Sequence, residues 1–412
     1  LASKEREDNP LTLLKEKDFT LLLTGQFVSA LGDKLHYIAL GVLIYRITGS
    51  AFEVGKMTLA TFLPYLLFGL IAGAYVDRWD KKRTMVTADL LRAALVGLIP
   101  ILIGYSINLV YLLTFLGTTA NLFFSPAKMA VIPAIFTKEK ILTATSLAET
   151  AENLTDILGY ALAGVLIMFI PIQKVFYLDS LTFLFSAAAI YSMSFKFEVQ
   201  HLINQKLNNK NESHILPDIL EGLAYIRKTK VLAVTLLTYC LALLIFSGFN
   251  PLIFVYALDT LKTTTVGLGI LEASAAVGIT VGSAVISVWG TRMIKQNLML
   301  WGYFISGLTI LTLGIFPDYT LALIGFFITG VSNAMFLLPV QSIFQEETAA
   351  PMRGRVFSAR FALTRVAFMG SVGILSYGAT QIGVGKVYLL SGLTLLIGTI
   401  ILAGFAFLKE KE

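Results

Sequence analysis

Twelve apolar runs separated by short polar turns constrain this chain more than any other feature. They lie at about 19–45, 54–76, 84–105, 108–136, 141–170 and 173–194, then at 231–258, 264–289, 296–316, 319–345, 356–382 and 386–408. All exceed twenty residues, enough as helix at ~1.5 Å per residue to cross ~30 Å of hydrocarbon. Across its 412 residues the chain is 56% hydrophobic and 14% charged, whereas a soluble domain carries about 25% charge. The pattern predicts an all-α polytopic membrane protein and excludes a soluble enzyme core. Acids precede a long first run, so no cleavable signal peptide is expected.

The cations say which side each turn faces. Most of the 32 lysines and arginines fall in the termini and in alternate turns on their side, among them Lys15, Lys17, Arg78 to Arg83, Lys138, Lys140, Arg353 and Arg355. The opposite turns hold Arg46, Lys174, Lys262 and Lys386. Positive turns stay inside, so both termini are expected in the cytoplasm of a bacterium, at its inner membrane. The net charge of +6 therefore reflects topology rather than nucleic-acid binding. The one cysteine, Cys240, and three scattered histidines offer no metal-ligand spacing, and no cofactor is expected.

The chain divides into six runs (1–194), a polar segment (195–229) and six more runs (230–412). The first part of the segment, 200–213, is rich in Asn and Lys and reads as a linker. The second, 216–228, is amphipathic, with Ile219, Leu220, Leu223 and Ile226 on one face. A faint repeat relates the halves. Gly69 and Gly73 are echoed by Gly278 and Gly282, and Phe124-Ser125-Pro126 by Leu337-Leu338-Pro339. Ile286 stands where the first copy has Asp77. Paired repeats of this kind accompany alternating access around a central site.

Several stretches carry a resemblance. The turn between the second and third runs reads Gly73-x-x-x-Asp77-Arg78-x-x-x-x-Arg83. Gly25-Gln26-Phe27-Val28-Ser29 and Gly32-Asp33 lie in the first run, Asp89-x-x-Arg92 in the third, and Ser125-Pro126-Ala127-Lys128 in the fourth. Glu221-Gly222 and Arg353-Gly354-Arg355-Val356 follow later. Together these resemble the major facilitator superfamily over nearly the whole chain, and within it the drug-efflux branch of macrolide and siderophore exporters. The Gly32-Asp33 and Ser125–Lys128 stretches also look like bacterial lysophospholipid transporters. Two superfamily features differ. No arginine signature marks the fourth run, where Asn121 and Lys128 are the polar residues, and Gly159–Gly164 of the fifth lacks the antiporter motif's proline. The resemblance implies twelve helices in two six-helix bundles, and a monomeric transporter of a small-molecule or lipid substrate, with protons as coupling ion. It also implies an inner gate of Gly73, Asp77, Arg78, Arg83, Asp89 and Arg92, with Asp77 accepting from backbone N–H groups near Arg355–Phe361.

Ionisable groups inside the apolar runs point to the substrate and proton path, because each costs at least a few kcal/mol in lipid. Gln26, Ser29, Asp33 and His36 share one helical face, with Asp33 ~21 Å into its run. Glu149, Glu152 and Asp156 share another face, with Asp156 ~22 Å in and level with Asp33. Lys128, ~14 Å in, is placed to meet Glu149, and Lys34 to reach a neighbouring helix. Arg365, ~14 Å into the eleventh run, is an anion-binding candidate. Asp179 and Asp259, near the outer ends, are expected to be interfacial or structural. No phosphate-binding Gly-rich loop with Lys-Ser/Thr suggests an ATP-driven pump, and no clustered nucleophile suggests an enzyme. Proton-coupled efflux of a lipophilic or amphiphilic molecule is the reading favoured over a lysophospholipid flippase without proton coupling.

Overall fold

The computed structural model describes residues 10–194, 215–290 and 293–407. The linker 200–213, Arg292 and the terminal cations Lys4, Arg6, Lys409 and Lys411 lie outside them. Among the described residues eleven helices are long and apolar enough to cross a membrane. The helices are α1 (Lys17–Thr48), α2 (Ala51–Val76), α3 (Lys81–Leu102), α4 (Ile107–Ile135), α5 (Lys138–Phe169), α6 (Ile172–Tyr191) and α7 (Ile215–Lys228). They continue as α8 (Lys230–Phe246), α9 (Phe249–Val255), α10 (Thr265–Trp289), α11 (Lys295–Ile315), α12 (Tyr319–Glu347), α13 (Arg353–Ile382) and α14 (Val384–Phe407).

Local chemistry sets most of the ends. Asp80 caps α3, accepting from the Arg83 N–H at 2.7 Å, which starts this helix three residues before the predicted run. Ser106, Thr264 and Asp318 cap α4, α10 and α12 in the same way, each satisfying one of the free N–H groups of a first turn. The predicted run 231–258 is broken. α8 ends at Phe246, and the Gly248 N–H donates to Ser371 Oγ at 2.8 Å. Pro251 then sits in the first turn of α9, where its missing N–H is not needed. A π-helical turn, Tyr256–Thr260, follows.

The chain divides into two compact units, residues 1–40 with 60–212, and 41–59 with 213–412. In the first, α3 packs on α4 and α6, and α4 on α5. α1 lies against α6, where a Cβ on Gly32 would collide with the Asp179 carboxyl and Thr182. Gly32 is therefore what lets the Asp179 carboxyl lie against the α1 backbone. In the second, α12 packs on α10 and α11, α11 on α14, and α8 on α13. There Tyr256 stacks on Tyr388, with ring centroids 4.3 Å apart, and Tyr303 packs edge-on to Phe336 at 5.0 Å. The Tyr45 hydroxyl donates to Asp259 in the same unit, which gives Asp259 the structural place of the two expected for it.

The amphipathic stretch 216–228 is helical, as expected, but its apolar face is split. Ile226 is buried while Leu220 and Leu223 are exposed. The side that meets the protein is ionic: Arg355, at the start of α13, bonds Asp218 at 3.1 Å and Glu221 at 2.6 Å. Replacing Arg355 with Ala should free α7, raising its amide hydrogen exchange well above that of α13. The thermal midpoint should barely move, because such half-exposed pairs contribute only about 1 kcal/mol or less. Unchanged exchange in α7 would show that Ile226, the Ala349–Tyr225 hydrogen bond and the close packing of Gly222 on the α13 backbone hold it without the ion pairs.

Candidate functional site

The first unit encloses a cavity of about 170 Å³ between α1, α3, α4 and α5. Its walls are apolar at Phe19, Leu22, Phe27, Phe124 and Ile132, and polar at Gln26, Asp33, Arg92, Asn121, Lys128 and Glu152. Four of these polar residues, Gln26, Asp33, Lys128 and Glu152, were expected on the substrate path. The 3, 4 spacing on α1 explains why Gln26, Ser29 and Asp33 all face the cavity.

Two cations in the first unit pair with the carboxylates of α5. Lys34 Nζ lies 2.6 Å from Asp156 and also 5.2 Å over the Tyr160 ring. The contact confirms that Asp156 is level with this part of α1. Lys128 Nζ lies 3.2 Å from Glu152, not from Glu149. The expected Lys128–Glu149 pair is therefore displaced by one turn, since depths counted from uncertain helix ends cannot resolve a turn. Glu149 itself is exposed.

Arg92 is the largest revision. The resemblance groups it with Asp77 and Arg78 in an inner gate, whereas its guanidinium reaches Asp33 at the cavity wall at 2.6 Å. The same guanidinium lies 3.9 Å from Asp89 and 3.9 Å above the centre of the Phe183 ring. Asp89 is fully buried. The Ser186 hydroxyl faces it, but neither carboxylate oxygen has a hydrogen-bond partner among the described residues. Ser186 accepts from Gln26 Nε2 at 3.3 Å.

Of the two places expected for Asp179 the structural one holds: it is wholly buried, with His36 Nδ1 3.1 Å from its carboxylate. His36 thus leaves the cavity face of α1 for α6, where its ring also meets Phe176 edge-on. The sequence did carry a signal for this. Asp179, Thr182, Phe183 and Ser186 repeat at helical spacing on one face of α6, and all four meet α1 or α3.

The turn 77–83 keeps part of its expected character. Asp77, Arg78 and Arg83 are exposed, and a Cβ at Gly73 would meet nothing within 4 Å. Lys81 is more than a topological cation. It is buried, and its ammonium donates to the Val76 and Trp79 carbonyls, satisfying the acceptors left at the end of α2. Lys82 donates to the Met193 carbonyl at 2.7 Å, tying the turn to the end of α6. In the second unit Arg365 lies 5.0 Å from the Phe361 ring on its own helix.

Long apolar helices carrying a charged internal cavity define a multi-pass membrane transporter of the major facilitator type. More narrowly, the chain belongs to the transmembrane secretion effector family, whose model matches residues 8–412. It is 27% identical over 392 residues to macrolide efflux protein A of Streptococcus pyogenes, covering 92% of this chain and 93% of that protein. It is also 27% identical to the uncharacterized transporter YfiS of Bacillus subtilis, over 96% of this chain and 95% of the relative. Among solved structures, a variant of the nucleoside transporter NupG superposes with a TM-score of 0.80 at 11% identity, covering 94% of this chain and 99% of that one. A bacterial homologue of the iron transporter ferroportin gives 0.70 at 14%, covering 94% and 98%. These likenesses establish the fold. The named relatives are transporters, not enzymes.

Proposed function

We propose that the protein exports a lipophilic or amphiphilic small molecule from the bacterial cytoplasm against proton entry, by alternating access of a monomer. In this reading the halves 1–194 and 230–412 move about the segment 195–229, and both termini are cytoplasmic at the inner membrane. The observation that carries it is the cavity of the first unit, where aromatic and aliphatic walls surround Asp33, Glu152, Lys128 and Arg92. Such walls suit an amphiphile, and ionisable groups at membrane depth are retained for function. Efflux in the macrolide relative supports the direction. Asp33 is half exposed to the cavity, which suits it to meet a cationic group. Asp156, Glu149 and Arg365 remain secondary candidates for the substrate and proton path. Gly73, Asp77, Arg78 and Arg83 are proposed as the inner gate, while Arg92 is reassigned to the cavity and Asp89 to the buried cluster beside it.

The two cations on the cavity wall favour one competing reading, a lysophospholipid transporter whose substrate phosphate meets Lys128 and Arg92. Liposomes containing the purified protein and a pH gradient separate the two. Ethidium movement should follow the gradient and fall at least about tenfold in Asp33→Asn, the effect of losing a desolvated ion pair worth about 1.4 kcal/mol or more. Movement of a labelled lysophospholipid, indifferent to pH, alongside no ethidium movement would sink the efflux reading.

A further inference from the structure

One guanidinium faces more carboxylates than it can neutralise. Arg92 bonds Asp33 at 2.6 Å and stands 3.9 Å from Asp89. Asp179 of α6 also acts on it, but that carboxylate has His36 as its own partner. The groups acting on Asp89 are Arg92 on its own helix, Asp33 of α1 and the Ser186 hydroxyl of α6. Lys128 of α4 lines the same cavity but bonds Glu152. Asp33 opens to the cavity, whereas Asp89 is fully buried with both oxygens unbonded. An ionised carboxylate left buried and unbonded is far too costly. In this arrangement Asp89 is the group whose protonation would remove that cost.

At 3.9 Å Asp89 is at the outer edge of ion-pair range from Arg92, about 1 Å beyond hydrogen-bonding contact, given usual N–O separations of ~2.8 Å. The Phe183 ring beneath the guanidinium is a flat surface along which it can slide. We propose that Arg92 is a two-position switch. It pairs with Asp33 while Asp89 is protonated, and with Asp89 once Asp33 holds the cationic group of a substrate. Binding brings one positive charge to Asp33. Arg92 turns to Asp89, whose O–H bond breaks, and the proton leaves to solvent. The net charge of the cluster is unchanged, so cation and proton exclude one another, as exchange transport requires. Ser186, already accepting from Gln26 of the cavity wall, has its own proton left to bond whichever form Asp89 adopts.

This inference rests on the proton-coupled reading above, and the test separates the two. Purified protein is titrated with ethidium in weakly buffered detergent containing a pH indicator. The wild type should release about one proton per ethidium bound, and its Kd should rise about tenfold for each pH unit of acidification. Asp89→Asn should bind ethidium with a Kd that no longer varies with pH, and release no proton. Asp33→Asn should not bind it. Proton release by Asp89→Asn equal to that of the wild type overturns the switch but leaves proton coupling standing. Absence of release from the wild type overturns both. Should Asp89→Asn fail to fold, infrared difference spectra of the wild type decide. Ethidium must remove the C=O band of one protonated carboxyl, and a spectrum without that loss overturns the proposal.

Discussion

Arg92→Leu is expected to lower stability by about 3–5 kcal/mol, the usual consequence of removing one partner from a buried ionic cluster. The side chain is only 10% exposed, and the carboxylates of Asp33, Asp89 and Asp179 all bear on it. Without it the charges of Asp33 and Asp179 lose the cation that offsets them. The thermal midpoint in detergent should fall by many degrees, and Asp33→Asn in the same chain should recover part of the loss by removing one of the opposed charges. A control separates this from a general loss of ion pairs. Lys295 and Glu346 also form a bridge, but a largely exposed one. Lys295→Ala should change stability by no more than about 1 kcal/mol. Equal effects at the two sites would show that burial is not what makes Arg92 important.

Gly330→Val should be nearly as damaging, for a reason of shape. A Cβ on Gly330 would strike the Ala275 carbonyl and lie 2.8 Å from Ile279 N, and one on Gly278 would strike the Phe327 carbonyl. α10 and α12 therefore meet backbone to backbone, as small residues allow in membrane proteins. No flexible side chain is present to yield, so the helices must separate, at the upper end of the about 1–3 kcal/mol typical of overpacking. The readout is the yield of monodisperse protein and its thermal midpoint. Gly373→Val is the matched control, because nothing lies within 4 Å of a Cβ there. If both variants behave alike, helix propensity rather than contact explains the result.

What could be read from the sequence followed the range of the interaction involved. Helix positions were accessible to within a few residues because length and apolar content are local properties. Residues sharing a face were equally accessible: Gln26 with Asp33, and Asp89 with Arg92, do lie together. Which helix each face meets was not. The resemblance sets Asp89 and Arg92 beside Asp77, yet the packing of α3 on α6 and the reach of an arginine carry Arg92 to Asp33 and Phe183. Nearness to a helix end leaves Asp179 open between an interfacial and a structural place, and the packing decides, because Gly32 opposite opens a socket for its carboxyl. The Gly278 repeat was noticed as symmetry. Its physical content, contact with Gly330, required the partner helix.

The ionic clamp between α7 and Arg355 makes the short helix a pointer. Because Asp218 and Glu221 are held by the first turn of α13, any rotation of that long helix is conveyed to α7. Leu220, on the outward side and 60% exposed, offers a place for a fluorophore that touches neither cavity nor gate. A dye there would report the motion of α13 during turnover as a change in its surroundings, turning a joint that stabilises the fold into an optical record of the transport cycle.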